Sequence, residues 1–118
     1  MAHILVVEDD EDLLFLYATM FIRQGHSTLK AMTVAEAVQF LNSAPVDLVV
    51  LDMNMPDAPG IRVVEWMRQD EHLSHIPIMV ISANDQWRKL CEELGVEYFL
   101  TKPVSMQQIL ALLEDILS

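Results

Sequence analysis

Short apolar runs alternate with amphipathic segments along the whole chain. The runs are rich in branched side chains, which is typical of buried strands, and they cover His3–Val7, Ser27–Ala31, Leu48–Leu51, Ile78–Ser82 and Tyr98–Thr101. Between them, apolar residues recur at helical spacing, which predicts helices over Glu11–Gln24, Thr33–Asn42, Ile61–Asp70, Gln86–Leu94 and Ser105–Leu117. This alternation predicts a doubly wound α/β domain, in which helices cover both faces of a five-stranded parallel sheet. The second run is the least apolar, so we expect it at an edge.

Polar side chains follow several of the predicted strands. Glu8 and Asp9 come directly after the first, Asp52 after the third and Lys102 after the fifth, while Ser82 ends the fourth. In open parallel sheets, ligands bind beyond the carboxyl ends of the strands, so we expect these residues to share one site. Carboxylates this close repel one another unless a cation is present, and Mg²⁺ prefers hard oxygen ligands and phosphate. The pattern predicts Mg²⁺-assisted phosphoryl transfer with Asp52 as the nucleophile.

Composition narrows the choice of partners and of cellular location. The net charge is −11, with only seven lysines and arginines, which argues against nucleic acid or an anionic membrane as a partner. Cys91 is the only cysteine, so no internal disulfide forms, and the apolar run near the N-terminus is too short to span a membrane. We therefore expect a cytoplasmic protein whose residues 1–118 form one domain, with no output domain in this chain.

Four segments together resemble the response-regulator receiver domain of two-component signalling. They are "ILVVEDD", "LDMNMPDAPG", "ISA" and "FLTKP", and they contain the strand-end residues named above. The resemblance extends over nearly the whole chain. It implies a flavodoxin-like (βα)5 fold with strand order 2-1-3-4-5, and a cis peptide bond between Lys102 and Pro103.

The same resemblance implies the roles of the metal ligands. A phosphohistidine on a histidine kinase or histidine phosphotransfer protein would phosphorylate Asp52. Mg²⁺ would be bound by Asp9, Asp52 and the backbone carbonyl of Asn54, while Glu8 would act through water. Self-dephosphorylation would be slow, so we expect a signalling switch or phosphorelay component rather than an enzyme.

The phosphoryl group and the switch involve three further positions. The resemblance implies that Ser82 and Lys102 bind the phosphoryl group, and that Ser82 and Phe99 are the switch residues. Phe99 stands where the family frequently has tyrosine. Because it has no hydroxyl, we expect Phe99 to favour burial.

The first helix is apolar on more than one side. Leu13, Leu16, Tyr17 and Met20 form one stripe, which we assign to the core. Receivers generally present this helix to the histidine kinase, so we expect the opposite residues to dock the phosphodonor protein: Phe15, Ala18 and Ile22. Leu112 and Ile116 on the last helix are candidates for contact with an output protein or for a homodimer.

Two alternative functions remain open from the sequence. A phosphatase of the haloacid dehalogenase type also uses an aspartate after an apolar strand, but it needs a second aspartate where Asn54 stands. A receiver-like interaction module that no longer depends on phosphorylation is the other alternative. Two departures from the family pattern favour that alternative. The stretch Asn84–Leu94 is shorter than is usual in the family, and Phe99 stands in place of the frequent tyrosine.

Overall fold

The computed structural model describes residues 1–118 as one parallel five-stranded sheet with the order β2-β1-β3-β4-β5. The strands are β1 (His3–Val7), β2 (Ser27–Ala31), β3 (Leu48–Leu51), β4 (Ile78–Ser82) and β5 (Tyr98–Thr101). The helices are α1 (Glu11–Arg23), α2 (Val34–Ser43), α3 (Ile61–Gln69), α4 (Arg88–Glu93) and α5 (Met106–Leu117). All five predicted strands and the predicted sheet order are confirmed, with β2 at an edge. Helix α4 begins later than predicted, at Arg88 instead of Gln86.

Alternation along the strands divides the apolar core between the two faces of the sheet. On one face, residues such as Leu5, Val49 and Val80 pack with α2, α3 and α4. On the other face, residues such as Val6, Val50 and Ile81 pack with α1 and α5. Successive side chains of a strand point to opposite faces, so strands that are buried on both sides read as continuous apolar runs.

The core-facing side of α1 differs from the predicted stripe. The helix buries Leu14, Tyr17, Ala18 and Phe21, which recur at i, i+3, i+4 and i+7, together with Met20. Leu16, which we assigned to the core, is 45% exposed. Ala18, which we assigned to the docking surface, is only 3% exposed, so that assignment is wrong. Ala18 belongs to the buried set at i+4 from Leu14, and its single methyl group lies close to the helix backbone, so it does not reach the surface.

The peptide geometry and the lengths of the helices add two findings. The peptide bond between Lys102 and Pro103 is cis, as predicted. None of the helices combines the length and the apolar character that crossing a membrane requires. Because all five strands are parallel, their carboxyl ends lie at one edge of the sheet, and the loops that follow them form the candidate site.

Candidate functional site

Three carboxylates converge where β1 and β3 end. Glu8 and Asp9 follow β1, Asp52 follows the adjacent β3, and one carboxylate oxygen from each lies within 4.8 Å of the others. Parallel pairing of the two strands aligns Val7 with Leu51 and therefore brings the next residues side by side. Glu8 and Asp52 are buried, whereas Asp9 is exposed. The cluster therefore has two inner carboxylates and one at the solvent side, from which a cation would enter.

Burial and mutual repulsion change the protonation of this cluster. Burial, together with the hydrogen bond and the negative charge of the neighbouring Asp52, raises the pKa of Glu8 from 4.5 to about 7. The backbone N–H of Asp10, which donates to Glu8 Oε2 at 3.2 Å, and the charge of Lys102 act in the opposite direction. Near neutral pH, part of the metal-free protein therefore carries a proton on this pair.

Lys102 faces the cluster from the end of β5. Its Nζ lies 3.5 Å from Glu8 Oε1 and 3.9 Å from Asp52 Oδ2. The backbone N–H of Lys102 donates to the carbonyl oxygen of Ser82 at 2.7 Å, which fixes the start of the lysine side chain relative to β4. An ammonium held between two buried carboxylates offsets part of their negative charge. It also places a positive charge where an anionic group added at the cluster would need one.

Ser82 and Asn54 complete the inner part of the site. Ser82 is fully buried, and its Oγ accepts a hydrogen bond from the backbone N–H of Asn84 at 3.4 Å. A hydroxyl that accepts one bond still has a hydrogen to donate. The backbone N–H of Asn54 donates to Asp52 Oδ1 at 3.3 Å. The structure therefore brings Asn54 next to the Asp52 carboxylate, and it holds Ser82 through its hydrogen bonds to Asn84 and Lys102.

The loop between β3 and α3 is tied down at two points. The backbone N–H of Gly60 donates to the carbonyl of Met53 at 2.7 Å, which closes the loop on itself. The carboxylate of Asp57 accepts from the backbone N–H groups of Val34 and Ala35, at 2.9 and 3.1 Å. These N–H groups belong to the first turn of α2, where a carboxylate is favoured, and they lower the pKa of Asp57. The loop that carries Asn54 is thus anchored to a neighbouring helix.

Phe99 is half-buried and packs against the core on the α2, α3 and α4 face. The Arg88 guanidinium carbon lies 4.5 Å from the centre of the Phe99 ring, a cation–π geometry. Arg88 also donates to Thr101 Oγ1 at 3.3 Å, and the Thr101 hydroxyl donates to Asp85 Oδ1 at 2.7 Å. The expected burial of Phe99 is therefore met in part, and a charged side chain covers its outer face.

The docking residues predicted on α1 have different environments. Phe15 is 67% exposed and Ile22 is 57% exposed, whereas Ala18 is buried. Leu16, at 45%, adds to the exposed apolar area. Phe15 and Met32 line one depression with acidic residues of α1 and α2. We call Phe15, Leu16 and Ile22 the α1 patch.

Two residues near the site were not identified from the sequence. Burial raises the pKa of Tyr17 to about 12, and the negative charges of Glu8, Asp52 and Asp10 contribute, so its hydroxyl belongs to the electrostatic surroundings of the cluster. Trp87 lines a cleft of about 420 Å³ that also contains Asp9 and Asn54. Neither position has a local signal in the sequence, because the surroundings of Tyr17 and Trp87 include the segment after β3, which is distant from both along the chain.

Comparison with known proteins gives one consistent result. The family model described as the response regulator receiver domain matches residues 4–114. The polar-differentiation response regulator DivK of Brucella ovis is 26% identical over 118 residues, which covers 97% of this chain and 94% of DivK.

Solved structures agree with that match. The non-phosphorylated HemR receiver domain from Leptospira biflexa has a TM-score of 0.91 and 31% identity, and the similarity covers 100% of this chain and 95% of that one. The response regulator TrrA from Thermotoga maritima, solved in complex with Mg²⁺ and BeF, has a TM-score of 0.87 and 22% identity, with coverage of 98% and 99%. The similarity therefore extends from β1 to α5.

Proposed function

This chain belongs to the response regulator receiver domain family, and we propose that it accepts a phosphoryl group on Asp52 from a phosphohistidine of a partner protein. The observation that carries the proposal is the convergence of Glu8, Asp9 and Asp52 with Lys102 at one edge of the sheet. Receiver domains are generally signalling switches rather than enzymes. We propose the same role here, with only slow self-dephosphorylation.

The acidic cluster fits Mg²⁺ by its chemistry. Its donors are hard carboxylate oxygens within 4.8 Å of one another, and it contains no nitrogen or sulfur ligand that would favour a softer metal. Asp9, Asp52 and the backbone carbonyl of Asn54 would bind the ion, and Glu8 would contact it through water. When bound, Mg²⁺ would supply positive charge that offsets the charge of the carboxylates and of the phosphoryl oxygens.

The transfer step follows from the positions of the protein groups. A carboxylate oxygen of Asp52 attacks the phosphorus of the phosphohistidine, an O–P bond forms and the N–P bond breaks. The electron pair of that bond returns to the imidazole nitrogen of the partner. Lys102 lies 3.9 Å from Asp52 Oδ2, so its ammonium would pair with a phosphoryl oxygen. The Ser82 hydroxyl would donate to another, with Ser82 and Phe99 as the switch positions.

Partners are proposed at the level of protein class. Receiver domains interact with histidine kinases or phosphotransfer proteins and with output domains. For this chain we propose a histidine kinase or a histidine phosphotransfer protein that docks on the α1 patch. Leu112 and Ile116 of α5 are half-buried, so only part of each side chain would reach an output protein or a second copy. A cytoplasmic location remains a prediction.

The family match favours this role over a phosphatase of the haloacid dehalogenase type, because residues 4–114 match the receiver domain. The interaction module that does not depend on phosphorylation differs from our proposal in one measurable respect. It would not take up phosphate at Asp52.

Mass spectrometry of the intact protein tests the proposal. After incubation with acetyl phosphate and Mg²⁺, we expect the mass to increase by one phosphoryl group, and we expect Asp52→Asn to abolish the increase. Asp12→Asn is the matched control, because Asp12 is an exposed carboxylate of α1 outside the cluster, and it should retain the gain. A wild-type protein that gains no phosphoryl group would support the interaction module instead.

A further inference from the structure

Trp87 occupies an unusual position between the candidate site and the core. It immediately precedes α4 and is half-buried against the core on the α2, α3 and α4 face. It also lines the cleft beside the acidic cluster. The opposite wall of this cleft is the loop between β3 and α3, with Asn54, Met55 and Pro59. Trp87 therefore lies across a gap from the loop that carries a proposed metal ligand.

The indole N–H of Trp87 is a buried donor without a partner. Its Nε1 is inaccessible to solvent and makes no hydrogen bond, and no other buried side-chain nitrogen or oxygen lacks a partner. Leaving a buried donor unpaired costs free energy, and the cost disappears in any arrangement that supplies an acceptor. A state in which the N–H is paired would be free of that cost.

The residues from Met53 to Pro59 line the same cleft as Trp87, and their backbone carbonyls and the amide side chain of Asn54 are groups that can accept a hydrogen bond. The same loop begins at Asp52, so a group attached to Asp52 alters the loop directly. A rearrangement of the loop or of Trp87 that turned the buried N–H toward these residues would give it an acceptor.

The turn that carries Trp87 also connects to the surface around Phe99. The backbone N–H of Arg88 donates to the carbonyl of Asp85 at 3.0 Å, and their side chains pair at 3.5 Å. Arg88 in turn covers the ring of Phe99. Because Trp87 and Arg88 are consecutive, a displacement of the turn that moved the indole would also move the backbone that carries the guanidinium.

We propose that Trp87 is a positioning residue whose indole N–H gains an acceptor from the Met53–Pro59 loop when a phosphoryl group occupies Asp52, and that Arg88 carries this change to Phe99. The inference rests on the proposed function, since it requires Asp52 to hold that group. It assigns a role to a residue that neither contacts the phosphoryl group nor binds the metal.

Nuclear magnetic resonance of the ¹⁵N-labelled protein tests the hydrogen bond. The chain has two tryptophans, and Trp66 is an exposed residue of α3 that serves as the internal control. With Mg²⁺ and beryllofluoride as the probe, we expect the Trp87 indole proton signal to move downfield while the Trp66 signal stays in place. The variant Trp66→Phe assigns the two signals. If backbone signals of Asp52 show binding while the Trp87 signal is unchanged, the inference is wrong but the proposed function stands. If no signal shows binding, the proposed function itself fails.

Binding affinity provides the second test. We expect Trp87→Phe to weaken the binding of Mg²⁺ with beryllofluoride roughly tenfold, because the bound state loses its hydrogen bond and the free state loses its unpaired donor. Replacement of Trp87 by 3-benzothienylalanine, which keeps the indole shape and lacks the N–H, should give the same loss. If only Trp87→Phe weakens binding, then packing is responsible and the inference is wrong.

The backbone amide signals of Arg88 and Phe99 test the connection to the surface. We expect the probe to shift both signals in the wild-type protein and to shift them much less in the benzothienylalanine variant, compared at saturating probe. Equal shifts in the two proteins would contradict a route through Trp87.

Discussion

At the scale of single residues, Glu8 shows how far the fold changes an ordinary side chain. In the unfolded chain its carboxyl has a pKa of about 4.5, whereas burial beside Asp52 raises the pKa to about 7 in the folded protein. Between these values the folded state holds more protons than the unfolded state. The contribution of Glu8 to stability is therefore fully present below about pH 4.5 and is lost as the pH rises through about 7. The free acidic cluster destabilises the protein above neutral pH.

Glu8→Gln should accordingly stabilise the metal-free protein at pH 8. We expect a gain of about 2 kcal/mol in the free energy of unfolding at pH 8, and almost none at pH 4, where Glu8 is protonated and resembles glutamine. Urea denaturation in the presence of a chelator measures both values. Glu11→Gln is the matched control, because Glu11 is exposed in the first turn of α1, and its effect should be small at both pH values. An equal gain from Glu8→Gln at pH 4 and pH 8 would contradict the electrostatic explanation.

At the scale of elements, Gly60 shows how the loop after β3 is held against its own strand. The Gly60 backbone has ordinary right-handed helical torsion angles, with φ of −57°, so conformation does not require glycine here. The space around Gly60 does require glycine, because an added Cβ would overlap the carbonyl oxygen of Asp52 and would lie 2.8 Å from Met53 Cα. These contacts are with backbone, which cannot rotate out of the way as a side chain would. The close approach lets α3 begin directly beside the end of β3.

Gly60→Ala should therefore distort the site as well as destabilise the fold. We expect a loss of about 3 kcal/mol in the free energy of unfolding, because the new methyl group has to displace backbone, and we also expect weaker Mg²⁺ binding. Gly25→Ala is an informative comparison, since Gly25 has a φ of 91° but open space around it. That variant should lose about 1 kcal/mol from backbone strain and bind Mg²⁺ normally. Denaturation gives the free energy of unfolding, and a Mg²⁺ titration followed by tryptophan fluorescence gives the affinity for the ion. Normal Mg²⁺ binding by Gly60→Ala would show that the new methyl group does not distort the site.

At the scale of the whole molecule, the α1 patch lies on the helix that begins directly after Glu8 and Asp9 of the acidic site. Helix α1 starts three residues after Glu8, and Asp10 caps it by accepting from the N–H groups of Asp12 and Leu13. Phe15, Leu16 and Ile22 are exposed on this helix although they are large and apolar. Exposed apolar clusters rimmed by charge are typical of protein interaction sites. A partner docked on the first turns of α1 would therefore be near the carboxylate that we propose as the phosphoryl acceptor.

Phe15→Glu should separate docking from chemistry. We expect phosphoryl transfer from a histidine kinase that phosphorylates the wild-type protein, identified in a panel of purified kinases, to slow roughly tenfold. Phosphorylation by acetyl phosphate should be unchanged, because a small donor needs no docking surface. Trp66→Glu, which removes an exposed aromatic from α3, should leave both reactions intact. Equal slowing of both reactions by Phe15→Glu would show that the substitution disturbs the site itself.

The strands and the candidate site could be predicted from the sequence for related reasons. A parallel strand buried on both faces is a continuous apolar run, so its limits are visible without knowledge of its neighbours. The site residues follow these runs directly, and the parallel topology alone brings Glu8, Asp52 and Lys102 to the same edge. The start of α4 was less predictable, because the turn Asp85–Trp87 depends on hydrogen bonds with residues beyond it, including the one from Thr101 to Asp85.

The sequence by itself determined the elements, their order along the chain and the residues that reach the carboxyl edge, since each depends on local pattern. Only the tertiary structure decided which side of α1 is buried, because that helix is apolar nearly all round and its periodicity does not favour one face. Burial of Ala18 and exposure of Leu16 follow from how α1 packs against the sheet. The raised pKa of Glu8, the guanidinium over Phe99 and the unpaired indole of Trp87 likewise depend on contacts between residues that are distant along the chain. Such contacts exist only once the sheet has assembled.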